Sequence, residues 1–325
     1  MLNAAIVGLG WWGKEIVTSV QGKSSRMRFA RGVSKEPDQV KEFAAKHGFQ
    51  LSTEFEDALK DPKIDAVVLA TPHSLHVDQI AKVVAAGKQV FCEKPLALTR
   101  ANAERATSVC AKAGRVLGVG HNRRFWRPMA EIKKLIDDGS LGTVMQVEAN
   151  YSTDWLKDVR PETTWRGSPE EAPAGGMTGM GIHILDSYVN MFGRIEEVHA
   201  LCAKRILPNP AGDTVAVLLK FAGGVLGYLG TTMVTPYLWR YHVLGSHGWA
   251  EARSEFDLIV RKRGMETQTT AFAPTDSVLA EFEIWLDALD GKKPYPFTAE
   301  QIVNTAAALE AIFASAQTGQ IVKVR

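Results

Sequence analysis

A six-residue run near the start of the chain, Gly8-Leu9-Gly10-Trp11-Trp12-Gly13, has the spacing G-x-G-x-x-G. It follows an apolar segment at residues 4–7 and opens an amphipathic stretch at 12–20, so it lies between a predicted strand and a predicted helix. In that setting each glycine has a physical task. Gly8 permits a tight turn, Gly10 lets the backbone approach a pyrophosphate, and Gly13 allows close helix–strand packing. The helix N-terminus then faces the phosphates with its unbonded N–H groups. The pattern predicts dinucleotide binding; a glycine-rich turn without a ligand is the alternative. Trp11 and Trp12 follow the second glycine and pack either beside the cofactor or at the helix start.

An acidic residue about 20 positions further on would bind the ribose 2′-hydroxyl of NAD. At the end of the second predicted strand, residues 29–33, stand Ser34 and Lys35, with Glu36 one or two places late. A hydroxyl and an ammonium suit a 2′-phosphate better than a bare hydroxyl. The expected cofactor is therefore NADP in preference to NAD, unless Ser34 and Lys35 are ordinary loop residues.

Two further side chains could act on a substrate. Lys94 lies just past a predicted strand at 89–92, where doubly wound folds place ligands. An ammonium beside a developing alkoxide stabilises its charge, and a cationic nicotinamide ring nearby would lower its pKa and favour proton transfer. Its alternative is a surface lysine in a loop. His183 stands at the start of a predicted helix at 181–192, where the positive dipole end disfavours the imidazolium. A neutral imidazole there could accept a hydroxyl proton; pairing with Asp186 is the structural alternative. Thr71, Pro72 and His76 follow the apolar run at 65–70 and should line the nicotinamide end, with His76 equally readable as a helix-face residue. Of Arg123 and Arg124, which follow Asn122, one could bind an acidic or hydroxylated substrate while the other pairs structurally. Tyr237, Trp239, Arg240 and Tyr241 cluster as a substrate-cleft wall or an oligomer contact. His121 and His242 lack metal-ligand spacing, and no metal is expected.

The elements that must position these residues fall into two styles. Over the first 120 or so residues short apolar runs (4–7, 29–33, 65–70, 89–92, 116–119) alternate with amphipathic stretches (12–20, 37–47, 75–86, 99–113). Such alternation predicts a parallel, doubly wound α/β sheet. After a helix at 128–138, strand-like runs dominate: 144–152, 198–204, 214–221, 225–233, 241–244, 249–253 and 258–261. Gly223-Gly224 joins two of them as a hairpin. The helix at 181–192 interrupts this series, and helices at 277–289 and 299–317 close it. The reading is a Rossmann domain at 1–122 and a second α/β domain at 123–325, with a large, mostly antiparallel open sheet.

Composition narrows the class. The 325 residues are 46% hydrophobic and 23% charged, enough to bury a core. A net charge of +2 gives no reason to invoke nucleic acid or an anionic membrane. Cys92, Cys110 and Cys202 are widely spaced and odd in number, which argues against a disulfide framework. No apolar run approaches the roughly 20 residues of a membrane-spanning helix, and the first residues lack the basic start of a signal peptide. A cytoplasmic protein is expected.

The motifs also come in a recognisable order. Gly8–Gly13 is followed by Ala70-Thr71-Pro72 with His76, then Glu93-Lys94-Pro95, then Gly120 through Asn122-Arg123-Arg124-Phe125 with Pro128. Trp165-Arg166, Gly175-Gly176 and Gly181-Ile182-His183-Ile184-Leu185-Asp186 come next, and Tyr295-Pro296-Phe297-Thr298 ahead of the last helix. In these features the chain resembles the Gfo/Idh/MocA family of sugar, polyol and related dehydrogenases over nearly its whole length. The resemblance implies a Rossmann domain, a C-terminal domain with an open sheet, a site between them, and sheet-to-sheet packing into dimers or tetramers. It implies that Lys94 hydrogen-bonds the reacting oxygen, that Lys94–Pro95 is cis and aims Lys94 into the cleft, and that Glu93 and Arg166 lie near the cofactor.

One position departs from the family's pattern. The family usually has an aspartate four residues before the histidine, where this chain has Gly179. Three readings follow: His183 and Lys94 suffice, with substrate in the gap; Tyr151, Asp154 or Asp158 reaches in; or the reaction is not ordinary alcohol oxidation. The expected activity is hydride transfer between NAD(P) and a carbinol carbon of a sugar, polyol or hydroxy acid. The rivals are an enzyme that retains its cofactor and uses transient oxidation for elimination or hydrolysis, and a non-catalytic dinucleotide-binding regulator.

Overall fold

The computed structural model describes residues 1–154, 165–207 and 212–325. Trp155 and Asp158 lie outside the described residues. The chain divides into two compact units, Met1–Asn122 with Asp276–Ala299, and Arg123–Thr275 with Glu300–Arg325.

The first unit is built on six parallel strands: β1 (Leu2–Val7), β2 (Met27–Val33), β3 (Gln50–Ser52), β4 (Ala66–Leu69), β5 (Gln89–Glu93) and β6 (Leu117–Gly120). Their order is β3-β2-β1-β4-β5-β6, so the chain reverses direction of travel across the sheet between β1 and β4. Ligands of doubly wound sheets bind at that reversal, beyond the carboxyl ends of the strands. All four residues of β4 are buried, as expected of a strand covered on both faces. The connecting helices are α1 (Trp11–Val20), α2 (Lys41–His47), α3 (Phe55–Lys60), α4 (His76–Ala85) and α5 (Arg100–Lys112). Residues 37–40, read as part of a helix, form a 3-10 turn instead. The short β3 and α3 were not visible in the sequence, because three and six residues carry too little periodicity.

The single cut after residue 122 is corrected. The helix at Ser277–Leu289 returns to the first unit. It buries Val278, Phe282, Trp285 and Leu286, a single stripe at helical spacing. Phe282 stacks on Phe91 of β5 with ring centroids 4.3 Å apart, and Trp285 meets the same ring edge-on at 5.5 Å. Gly118 leaves room for this packing, since a Cβ there would stand 2.4 Å from the Phe91 ring. Arg26 adds ion pairs to Glu283, Asp287 and Asp290 along the helix. These are partly exposed and contribute little beside the aromatic core. An apolar helix stripe does not name its partner, so the sequence could not assign this helix to a unit.

The second unit begins with α6 (Arg127–Asp137) and β7 (Val144–Ser152), and continues through α7 (Ile182–Phe192), β8 (Ile195–Ala203), β9 (Thr214–Phe221) and β10 (Leu226–Thr232). Four more strands follow: β11 (Leu238–Gly245), β12 (Gly248–Ala252), β13 (Asp257–Lys262) and β14 (Gln268–Ala271). After α8, the helix at Ser277–Leu289, come α9 (Ala299–Thr318) and β15 (Val322–Lys323). The nine strands run β14-β13-β12-β11-β7-β10-β9-β8-β15, and only β7 and β10 pair in parallel. The expected hairpin at Gly223-Gly224 joins β9 and β10, with Gly224 donating to the Phe221 carbonyl. On one face α7 packs through Tyr188, whose hydroxyl donates to the Tyr228 carbonyl at 2.6 Å. The other face exposes Leu218, Leu226 and Tyr228 in register on β9 and β10, next to Leu201 of β8. Among the described residues no helix is long and apolar enough to cross a membrane, and no group of three His, Cys, Asp or Glu side chains is placed to hold a metal ion.

The Phe91–Phe282 contact yields a thermodynamic test. Phe282→Ala and Phe91→Ala should each cost about 3–5 kcal/mol of stability. Because the rings touch, the double variant should cost measurably less than both together, by about 0.5–3 kcal/mol in a denaturant-unfolding cycle. Additive losses would mean that α8 does not pack on β5.

Candidate active site

In the first unit the glycine motif resolves into two packing residues and one open position. Gly8 follows β1 with φ +93°, and a Cβ on it would stand 2.5 Å from the Ala70 carbonyl oxygen. Gly13 sits so close behind the turn that its Cβ would lie 2.0 Å from the Gly8 carbonyl oxygen. These two glycines let α1 press against the ends of β1 and β4. Gly10 differs, since a Cβ there meets nothing within 4 Å. It is the N-cap of α1, with no side-chain cap and no acidic residue in the first turn. The helix end thus has no side-chain cap, and Gly10 leaves open space beside it, which fits an anion such as a pyrophosphate. Trp12 packs against the unit's apolar core, while Trp11 at the helix tip is 54% exposed and lies edge-on to Trp12 at 5.1 Å.

Ser34 and Lys35 follow β2 directly. The Ser34 backbone N–H donates to the Ser52 carbonyl, and its hydroxyl accepts from the Glu36 N–H at 3.2 Å. Lys35 is exposed at the turn. The loops after β4 and β5 are bound together by His76. This ring is fully buried, with Nδ1 2.9 Å from the Pro95 carbonyl oxygen and Nε2 3.0 Å from the Thr71 carbonyl oxygen. Both ring nitrogens face the protein's own backbone, so His76 holds the two loops in place. Thr71 donates through its hydroxyl to Gln79 Oε1 at 2.6 Å. Pro72 caps the 3-10 turn that leads into α4.

Lys94 is half-buried, and its peptide bond to Pro95 is cis. Its backbone N–H donates to Glu93 Oε2 at 3.2 Å. The Glu93 carboxylate is buried over Gly120 of β6, where a Cβ would come within 2.4 Å of Oε1. Gly120 was noted in the sequence only as part of a motif, and its reason is the space that this carboxylate occupies.

In the second unit His183 is 4% exposed. A five-residue π turn, Met177–Gly181, runs into α7 without a break. His183 is therefore inside a helical run and not at its start, and the dipole argument made for it from the sequence does not apply. Its ring lies 6.4 Å from that of Tyr151 on β7. Asp186 pairs with Arg124. Its two oxygens accept from Arg124, Nε to Oδ2 and Nη2 to Oδ1, each at 2.6 Å, with both side chains buried. Gly179 lies in the π turn, and a Cβ there meets nothing within 4 Å among the described residues. Asp154 follows β7, and Arg166 stacks on Trp165 at 4.2 Å.

Arg123 and Arg124 part company in the 3-10 turn Asn122–Phe125. With three residues per turn, successive side chains point about 120° apart. Arg124 takes the buried carboxylate. Arg123 enters a ring of aromatics, with its guanidinium 4.3 Å from Tyr151, 4.5 Å from Trp126 and 5.1 Å from Trp239. It donates to the Tyr151 hydroxyl at 2.5 Å. Burial pushes the Tyr237 phenol above its ordinary value, while the charge of Arg123 and a hydrogen bond from it pull the other way. Trp126, which closes this ring, carried no signal in the sequence beyond its type.

Residues 2–121 match the model of an oxidoreductase family with an NAD-binding Rossmann fold, and residues 129–251 match the GFO/IDH/MocA C-terminal domain. Levoglucosan dehydrogenase of Pseudarthrobacter phenanthrenivorans is 26% identical over 264 residues, 71% of this chain and 67% of the relative. The scyllo-inositol 2-dehydrogenase (NADP(+)) of Bacillus subtilis is 34% identical over 148 residues, 45% of this chain and 40% of the relative. Among solved structures, levoglucosan dehydrogenase in complex with NADH and levoglucosan aligns with a TM-score of 0.88 at 21% identity, over 99% of each chain. That last likeness speaks to the fold. With a separate family model matching each half in chain order, the protein belongs to the Gfo/Idh/MocA family of oxidoreductases.

Proposed function

We propose that the protein is a dehydrogenase or reductase that transfers a hydride between NADP, or NAD, and a carbinol carbon of a sugar, polyol or related hydroxylated compound. The observation that carries this reading is the glycine turn, where two glycines are demanded by backbone packing and the third leaves open space before uncapped helix N–H groups. Gly8, Gly10, Gly13 and the tip of α1 with Trp11 would hold the pyrophosphate. Ser34 and the exposed Lys35 would take a 2′-phosphate, which is the basis for placing NADP first. Thr71, Pro72 and Glu93 would flank the nicotinamide, and Arg166 would reach a phosphate or the substrate. Trp12 and His76, both read as cofactor residues in the sequence, support the site from behind.

The bound nicotinamide supplies the hydride acceptor or donor, and the protein supplies the proton path and the charge. Lys94, anchored through its N–H to Glu93, stabilises the substrate oxygen as charge develops there. His183 relays the proton. The dehydrogenases named among the relatives act on a sugar derivative and an inositol, which supports a polyhydroxylated substrate. A second reading has a specific observation behind it: Gly179 offers room for a side chain but no carboxylate beside His183. That favours a retained cofactor driving elimination or hydrolysis without net redox change. The exposed apolar register of Leu218, Leu226 and Tyr228 supports a homodimer or homotetramer that covers this face.

Calorimetric titration with NAD, NADH, NADP and NADPH should show micromolar or tighter binding, with NADP(H) ahead. Gly10→Ala should fold but bind at least tenfold more weakly, the size of a lost charge-assisted hydrogen bond. Cofactor that copurifies and does not exchange would support the second reading, and binding of none of the four would remove both. Once a substrate is found, Lys94→Ala should lower kcat by roughly 100-fold or more; an unchanged kcat would remove Lys94 from the chemistry. Light scattering should give a mass that is a multiple of the 35.6 kDa chain, and Leu218→Glu should reduce it. A monomeric wild type would show that the apolar face is not covered by a second copy.

A further inference from the structure

Arg123 sits in a cage of aromatic rings. Its neighbours are three aromatic rings and the hydroxyls of Tyr151 and Tyr237. Ring faces attract a cation by about 0.5–2 kcal/mol each, but they do not neutralise it. Among the described residues Arg123 forms no ion pair, and its Nε–H is buried without an acceptor. Glu255 acts on Tyr237 through its charge and does not pair with Arg123. The adjacent Arg124 shows what a guanidinium in this unit does when a carboxylate is in reach, since it closes a two-bond fork on Asp186.

A guanidinium that has no ion pair among the described residues keeps its charge for an anion from outside the chain. The planar fork of a guanidinium matches a carboxylate better than any neutral group. The rings fix the guanidinium plane before any ligand arrives, so little ordering is lost on binding. Tyr151 links the cage to the candidate proton carrier, because it accepts from Arg123 and its ring lies 6.4 Å from that of His183. The turn before His183 brings no opposing charge, as position 179 is glycine.

We infer that Arg123 is a carboxylate receptor and that the hydroxylated substrate is an acid, a sugar acid or a smaller hydroxy acid, held by its carboxylate beside Tyr151. This rests on the oxidoreductase reading of His183 and narrows its substrate class. A neutral sugar or polyol would leave the Arg123 charge without an ion partner, and a carboxylate would pair with it.

The test is ligand binding to the cofactor-loaded protein. Gluconate, glucuronate and glycerate are titrated beside their neutral counterparts glucitol, glucose and glycerol. At least one acid should bind about tenfold or more tightly than its counterpart, the range of a charge-assisted hydrogen bond. Arg123→Met should abolish that preference while affinity for the cofactor is unchanged. Arg123→Lys keeps the charge, loses the fork, and should retain only part of the preference. No acid preferred over its counterpart in the wild type overturns the inference by itself, whatever the variants do. A preference that survives Arg123→Met in a folded protein also overturns it. Failure of the broader reading looks different, because then no nicotinamide cofactor binds in the first place.

Discussion

The buried pair between Arg124 and Asp186 is the constraint around which the candidate residues of the second unit are arranged. Two charges at 2.6 Å, both removed from water, are mutually dependent. Removing one partner would strand the other and cost about 3–5 kcal/mol. The bond ties the 3-10 turn after β6 to the middle of α7. His183 lies one turn earlier on that helix, so its place follows from the same bond. Arg123 lies one residue earlier on the turn, and the roughly 120° step between successive side chains sends it the other way. One ion pair therefore sets both the imidazole and the second guanidinium.

The candidate residues of the first unit are held by excluded volume in place of charge. Gly8 and Gly13 exist because backbone atoms come closer than any side chain would allow. Gly120 is required in the same way, by the Glu93 carboxylate. His76 then spends both ring nitrogens on carbonyls of the Thr71 and Pro95 loops. The loop that carries Lys94 is thus pinned from two sides, at Glu93 by its N–H and at Pro95 by its carbonyl. Preorganisation of this kind keeps a side chain on the loop from having to be ordered when a ligand binds.

The parallel sheet was legible in the sequence because short apolar runs such as Ala66–Leu69 alternate with helices that Gly87 and Gly114 bring to an end. The hairpin at Gly223-Gly224 was legible for its turn chemistry. What could not be read were matters of partnership. The stripe Val278, Phe282, Trp285, Leu286 predicts a helix but not that its rings meet Phe91 of β5. His76 satisfies the pattern of a site residue and of a packing residue equally, and only its two carbonyl contacts decide. His183 was placed at a helix start because Gly181 precedes it, yet the π turn from Met177 carries the helical run past that glycine. A π turn bonds at a spacing of five, which a 3.6-residue pattern does not register.

Arg123 and Arg124 show the same limit most clearly. As letters they are one dipeptide, and composition assigns them one role. In the structure they differ in the property that matters for chemistry, which is whether the charge is already spent. Arg124 and Asp186 pair, so their net charge is zero. Arg123 is surrounded by π faces that hold its plane without cancelling its charge, and among the described residues no carboxylate pairs with it. Glycine at position 179 brings no carboxylate near His183, and Arg123 beside Tyr151 forms no ion pair among the described residues. Neither feature is needed to hold α7 in place, since Asp186 and Arg124 already do that.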